Sequence, residues 1–299
     1  MRSAWRLALI AAIVAYGGVI LGSWVRITGS GMSCPDWPLC HGSLLPSLSG
    51  GAVWEWSHRL VALFEAPLVI ALAAMAWPLR KAARPVKLML ARVVGLFGFQ
   101  IFLGAATVHL SNSPISVVLH WGAAMAFLGA LVALTVFMRA PAIAATSSAG
   151  FRAFAAMLCA TAALAFVTMC IGAYVSSSGA GLACLHLPGC AGQVVVLGSS
   201  QFVQLVHRFA AGACLFAACA TTALGWRYAR RTVAVLATAG LTLLFVQVIL
   251  GLLNVAWRLP LLIRELHSAT AALAFLSFIA AVALVAAQIF ARKTEAAAA

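Results

Sequence analysis

Four histidines recur as two pairs along this chain: His58 and His120 in the first half, His207 and His267 in the second. Imidazole is a neutral metal ligand at ordinary pH, and two imidazoles facing each other can hold a metal, or the iron of a porphyrin, from both sides. The residues around them repeat as well. Gly29-Ser-Gly31, Cys34, Cys40, Glu55-Trp-Ser-His58-Arg59, Gln100-Ile-Phe-Leu-Gly104 and Leu119-His120 return as Gly179-Ala-Gly181, Cys184, Cys190, Gln204-Leu-Val-His207-Arg208, Gln247-Val-Ile-Leu-Gly251 and Leu266-His267. The offset is 150 for the cysteines, 149 for the His-Arg pairs and 147 for the last two matches. Register kept over so many separate features marks a duplicated unit.

The choice of metal follows from the other ligand types on offer. A zinc or di-iron site draws on carboxylates or thiolates, and the chain has only 5 acidic residues. Two histidines per half with few acids suit axial ligation of heme. Arg59 and Arg208 follow a candidate ligand at the water-facing edge, where a guanidinium can pair with heme propionates or reach out to lipid headgroups. His41, His109 and His186 have no repeat partner and are read as ordinary polar residues.

The halves differ in one telling place. Glu55 lies three residues before His58, on the same helix face, whereas the aligned residue in the second half is Gln204. A carboxylate beside one pocket only points to chemistry there and to electron storage or transfer in the other, with Glu55 delivering protons or positioning an oxygen species. A carboxylate favouring the helix N-terminal dipole is the plainer reading. Glu265 reads as an end charge, and Glu65, seven residues after His58, has no assignable role.

Each cysteine pair encloses five residues in a Gly/Pro-containing loop, Cys34-Pro-Asp-Trp-Pro-Leu-Cys40 and Cys184-Leu-His-Leu-Pro-Gly-Cys190. In an oxidising compartment two short intraloop disulfides fit this pattern. A redox-active thiol pair near the reacting centre and a metal site remain the alternatives. Cys159, Cys170, Cys214 and Cys219 fall inside apolar stretches and read as small apolar filler.

The elements that position these residues are membrane helices. Hydrophobic residues make up 65% of the 299, charged residues 8%, and mean hydropathy is +1.08, a composition that excludes a water-soluble domain of this length. Eight stretches reach the roughly 20 residues that a bilayer core needs: about 7–25, 58–79, 88–109, 115–138, 153–175, 201–225, 232–256 and 263–290. The four histidines stand at the starts of the even-numbered stretches. The fold expected is all-α and integral to the membrane, eight transmembrane helices in two tandem pseudo-symmetric four-helix bundles, residues 1–145 and 146–299. The first stretch has a basic start but no convincing cleavage site after it, so a retained helix is expected.

The net charge of +14 does not call for nucleic acid. With both termini cytoplasmic, 14 of the 19 basic residues fall on cytoplasmic ends: Arg2, Arg6, Arg80, Lys81, Arg84, Lys87, Arg92, Arg139, Arg152, Arg227, Arg230, Arg231, Arg292 and Lys293. That is the positive-inside bias of a multi-pass protein of the cell inner membrane, and it puts the cysteine loops outside. The alanine-rich end from Thr294 to Ala299 is expected to be disordered.

The loop Gly29-Ser-Gly-Met-Ser-Cys-Pro-Asp-Trp-Pro-Leu-Cys40, the Glu55-x-x-His58-Arg59 motif and the second-half loop and histidines resemble the heme A synthase family over essentially the whole chain. The resemblance implies oxygen-dependent oxidation of the C8 methyl of heme O to a formyl group, giving heme A for cytochrome oxidase. It implies that His58 and His120 hold the heme O substrate and that His207 and His267 hold a heme B cofactor. Glu55 matches the family's acidic catalytic residue, and Cys34 and Cys40 match a cysteine pair for which a redox role is entertained. Molecular oxygen as co-substrate, heme O synthase and cytochrome oxidase assembly as partners, and an external electron donor follow; the chain has no flavin or nicotinamide motif of its own. A di-heme electron-transfer cytochrome and a heme carrier without ring chemistry are the alternatives.

Overall fold

Apolar runs of this length satisfy their backbone only as helices, because a bilayer core offers no water to unpaired peptide groups. The structure, a computed structural model, describes residues 4–47, 49–76, 84–139, 148–186, 189–190 and 195–298. It contains eight long helices: α1 (Ala4–Ile27), α2 (Gly51–Ala76), α3 (Arg84–His109), α4 (Pro114–Arg139), α5 (Ala149–Ser177), α6 (Ser200–Tyr228), α7 (Arg231–Ala256) and α8 (Leu261–Ala298). Each is long and apolar enough to cross a membrane, and a single 3-10 turn, Ala180–Leu182, is the other helical element among the described residues. The protein is a multi-pass membrane protein.

Local signals set the helix ends. Ser148 and Ser199 cap α5 and α6, their side chains accepting the Phe151 and Phe202 N–H groups at 3.1 and 3.2 Å. Gly29 and Gly179, matched by the repeat, turn the chain after α1 and α5 with φ of 70° and 74°, a region that disfavours any side chain. Two expectations about ends need correction. α2 begins at Gly51, not near residue 58, because the apolar Ala52-Val53-Trp54 run extends the helix outward. The four histidines therefore sit not at helix starts but roughly two turns inside, at a common depth. α8 continues to Ala298, so the alanine-rich end is a helical extension, as its propensity favours.

α1 packs on α2 and α4, and α3 packs on α4; in the second half α5 packs on α6 and α8, and α7 on α8. The halves meet where α4 contacts α5 and α8 and where α1 contacts α8. α4 is central, with Met125, Leu128, Leu131 and Leu134 wholly buried, while α2 and α3 turn Leu63, Phe64, Ile70, Phe99 and Phe102 outward, as lipid-facing surfaces do. Small residues let the helices close: Ala4, Ala8 and Ala11 of α1 are buried in the same cluster as Leu72, Leu131 and Phe275. Polar contacts cross the second-half core as well, with Thr161 Oγ1 2.8 Å from Thr221 Oγ1 and Thr222 Oγ1 donating to the Ala237 carbonyl at 3.3 Å.

Of the basic residues read as cytoplasmic, Arg2, Arg80 and Lys81 lie outside the described residues, as does the expected boundary at 145/146.

Candidate functional site

α2 and α4 run in the same direction, so residues equally far along each meet at one depth. There the imidazoles of His58 and His120 face one another with ring centres 6.4 Å apart and planes at 87°. Metal–imidazole bonds of about 2 Å, plus about 1 Å from each nitrogen to its ring centre, require a spacing of about 6 Å. The spacing of the pair therefore matches that of two imidazoles on a single iron. Among the described residues no three or more His, Cys, Asp or Glu side chains converge, so the donor set is a pair of imidazoles rather than a mixed cluster.

Glycines make room for those rings. A Cβ on Gly22 of α1 would stand 2.8 Å from His58 Cε1, and one on Gly104 of α3 would stand 3.4 Å from His120 Cε1. The second half repeats the arrangement, with Gly172 at 2.8 Å from His207 Cε1 and Gly251 at 3.3 Å from His267 Cε1. His207 lies within electrostatic reach of His267. Gly22 and Gly172 keep the cysteine offset of 150, a signal present in the repeat but not picked out by the histidine spacing.

The supporting contacts differ between the halves. Gln100 Nε2 lies 3.2 Å from both ring nitrogens of His120 and can donate to that ring. Its repeat partner Gln247 instead donates to the backbone carbonyl of His267 at 2.8 Å. Nδ1 of His58, His207 and His267 is buried and makes no close, well-aligned hydrogen bond; the backbones of Gly18, Thr168 and Gln247 are the groups set against these rings.

Glu55 and Arg59, one turn apart on α2, reach up to the first cysteine loop. Glu55 is 4% exposed; its Oε2 accepts the Cys34 N–H at 2.8 Å and its Oε1 pairs with Arg59 Nη2 at 2.6 Å. Arg59 also donates to the carbonyls of Cys34 at 2.9 Å, Asp36 at 2.6 Å and Leu39. Gln204 and Arg208 make the corresponding clamp. Gln204 Oε1 accepts the Cys184 N–H at 2.5 Å and its Nε2 donates to Gly181 O at 2.7 Å. Arg208 donates to the carbonyls of Cys184, His186 and Gly189. The amide thus reproduces the loop-holding part of the carboxylate's role, and the negative charge is what the first half adds.

Cys34 joins Cys40 and Cys184 joins Cys190, with Cα atoms 4.6 and 4.7 Å apart. All four cysteines are buried beneath their loops. In the first loop the Asp36 carboxylate accepts the backbone N–H groups of His41 and Gly42, both at 2.7 Å. Those bonds, Gly42 first, hold its carboxyl below the usual carboxylate range. His41 turns its Nε2 to the Ser33 carbonyl at 2.9 Å, and His109 ends α3 at the surface, so neither joins the imidazole pairs.

The remaining buried polar residues lie elsewhere. Glu65 is 3% exposed on the His58 side of α2, and neither of its oxygens has a hydrogen-bond partner. Glu265, expected as an end charge, is buried at 8% exposure near Arg26. Arg26 itself lies on the seam between the halves, a placement that no repeat signal reveals, since its matched position holds Ser176.

Comparison with known proteins gives a consistent picture. Residues 5–279 match the family model described as cytochrome oxidase assembly protein, COX15-CtaA. The chain is 33% identical over 211 residues to a protein named heme A synthase from Bacillus licheniformis, covering 69% of this chain and 70% of that one. A heme A synthase from Alkalihalophilus pseudofirmus is 33% identical over 198 residues, 63% and 66% of the two chains. One from Geobacillus thermodenitrificans is 29% identical over 262 residues, 84% and 81% of the two chains.

Proposed function

The chain belongs to the COX15-CtaA family of cytochrome oxidase assembly proteins, and we propose that it is a heme A synthase that oxidises the C8 methyl of heme O to a formyl group. The observation that carries the reading is the His58/His120 pair, spaced at 6.4 Å for one iron, in the half that also holds a carboxylate at the Glu55 position. The methyl carbon passes through the alcohol and the gem-diol. Each hydroxylation consumes one O2, two electrons and two protons and releases water; the gem-diol then loses water to give the aldehyde.

In this reading His58 and His120 hold the substrate heme O, and His207 and His267 hold a heme B cofactor. When bound, heme B supplies one-electron redox chemistry next to the reacting site. The chain's own residues bind and orient. Gly22 and Gly104 let the two rings close on the substrate from opposite sides, and Gln100 fixes the orientation of His120. Apolar helix walls keep water from an otherwise lipid-soluble substrate. Glu55 is the group able to hold and move a proton at the rim of the site, through the oxygen it shares with Arg59. The second half keeps the clamp but has Gln204 in place of the acid.

Oxygen is the co-substrate, and electrons come from an external donor. The positive-inside bias orients the chain in the cell inner membrane with both ends cytoplasmic and the cysteine loops outside. Heme O arrives from its synthase, and heme A passes to cytochrome oxidase under assembly. The test is extraction of heme from membranes containing this protein and heme O synthase, resolved by chromatography and mass. Heme A or its hydroxylated precursor, absent from the empty-vector control, is the expected product. Unmodified heme O in a heme-loaded protein supplied with oxygen and reductant would instead mark a carrier or an electron-transfer cytochrome.

A further inference from the structure

Arg26 occupies a place that neither the proposed reaction nor the repeat explains. It stands one turn beyond Gly22 on α1, on the face that receives His58. Its guanidinium lies 5.4 Å from the Trp121 ring centre, and its Nη2 donates to Ser268 Oγ at 3.3 Å and lies 3.5 Å from Ser23 Oγ. Trp121 and Ser268 are repeat partners, each following a candidate iron ligand, His120 and His267. One side chain thus touches equivalent positions in both halves.

Two of its nitrogens, Nε and Nη1, are buried and have no partner in the protein. The nearby acid, Glu265, acts on Arg26 and Ser23 from beyond contact distance and does not close on either of these nitrogens. Arg264 stands close as well, with its Nη1 on the Ile27 carbonyl at 3.2 Å. Two guanidiniums against one carboxylate leave this seam with one positive charge in excess. A buried guanidinium with open donors is costly unless an anion meets it, and planar N–H groups match a carboxylate best. Arg59 and Arg208 give their Nη groups to loop carbonyls, whereas Arg26, half-buried as a residue, keeps two buried nitrogens open.

We propose that Arg26 is the anion-holding residue of the His58/His120 site, receiving a carboxylate of the bound tetrapyrrole on its Nε and Nη1 side. The inference rests on the reading of those histidines as tetrapyrrole ligands. It adds a binding determinant at the seam of the halves, one turn outward from the imidazole pair.

The test is a titration of ligand-free protein with two probes, heme B and heme B dimethyl ester, which differ only in their carboxylates. Each site is read alone, in a His207→Ala, His267→Ala background that keeps the first site and a His58→Ala, His120→Ala background that keeps the second. In the first background the free acid should bind more tightly than the ester by about tenfold or more. Arg26→Gln should abolish that preference, and Arg26→Lys, which keeps the charge, should retain part of it. Thermal unfolding of each ligand-free variant identifies any that fails to fold, and the lysine variant then carries the comparison. An unchanged preference in Arg26→Gln overturns the proposal. A preference that depends on Arg26 only in the second background overturns its assignment to the His58/His120 site. If protein with Arg26 intact binds neither probe in either background, the tetrapyrrole reading of the histidines fails first and takes this inference with it.

Discussion

The His58 imidazole packs against Gly22 with no room for a methyl group between them, since a Cβ there would stand 2.8 Å from Cε1. Contacts that close force the ring or the helix to move, and overpacking of this kind costs about 1–3 kcal/mol. Gly22→Ala should therefore weaken heme binding at the first site by roughly tenfold or more and leave the second site unchanged. Gly172→Ala should do the reverse. Gly104→Ala, with 3.4 Å available beside His120, should have a clearly smaller effect. Heme titration of single-site variants measures all three, and equal effects at Gly22 and Gly104 would contradict the packing argument.

Glu55 and Gln204 separate two roles that one residue combines. Both accept a cysteine N–H and so hold a loop, but only Glu55 is charged. Glu55→Gln should keep the loop and the heme content while lowering heme O oxidation by about 100-fold or more, the usual range for a lost proton-transfer group. The readout is product per bound heme. Full activity in this variant would leave Glu55 only its structural part.

Arg59 spends its Nη groups on the Cys34, Asp36 and Leu39 carbonyls as well as on Glu55. Arg59→Gln should release the first cysteine loop, seen as faster cleavage by an added protease, with heme content held. Hydrogen bonds to a charged group contribute about 1.5–3 kcal/mol each, so the melting temperature should also fall. Loss of heme with an intact loop would instead point to a propionate contact.

Within that loop Asp36 gives a pH dependence of defined sign. Its folded pKa lies below its unfolded value, through the Gly42 and His41 N–H bonds. Its contribution is thus complete above the unfolded value, about 4, and is lost as pH falls through the folded one. The protection of the His41 and Gly42 amides against exchange, taken relative to the intrinsic rate at each pH, should fall on acidification in that range. In Asp36→Asn that protection should be lower at neutral pH and flat across the same range.

Hydropathy and the repeat revealed eight spans, matched cysteine loops and four equivalent histidines, because each is written as a residue type at a fixed interval. The hold of Arg59 and Arg208 on the loops escaped that reading, which had them as propionate or headgroup contacts: their targets are backbone carbonyls, which every residue carries and no spacing advertises. Arg26 escaped for the opposite reason, since its matched position is Ser176 and its partners come from α4 and α8. The start of α2 at Gly51 was hidden because Ala52-Val53-Trp54 is as apolar as a loop buried at a membrane edge. What the sequence shows plainly is repeated; what it conceals is the asymmetric contact between the halves.

Glu65 allows that asymmetry to be tested through stability. It lies on the inner face of α2 with Val69 and Leu72, at 3% exposure, and neither oxygen has a hydrogen bond. At the His-Arg offset of 149 its partner is Cys214, which is 1% exposed and sits comfortably as an apolar residue in the shared core. A buried polar group left without a partner costs about 1–3 kcal/mol. Glu65→Cys, which imports the solution used by the second half, and Glu65→Leu should therefore raise the melting temperature of the ligand-free protein. If both variants melt lower than the parent, the carboxyl is held by an interaction that its unpartnered oxygens do not reveal. If they melt higher but bind heme O less well, Glu65 is retained for the ligand rather than for the fold.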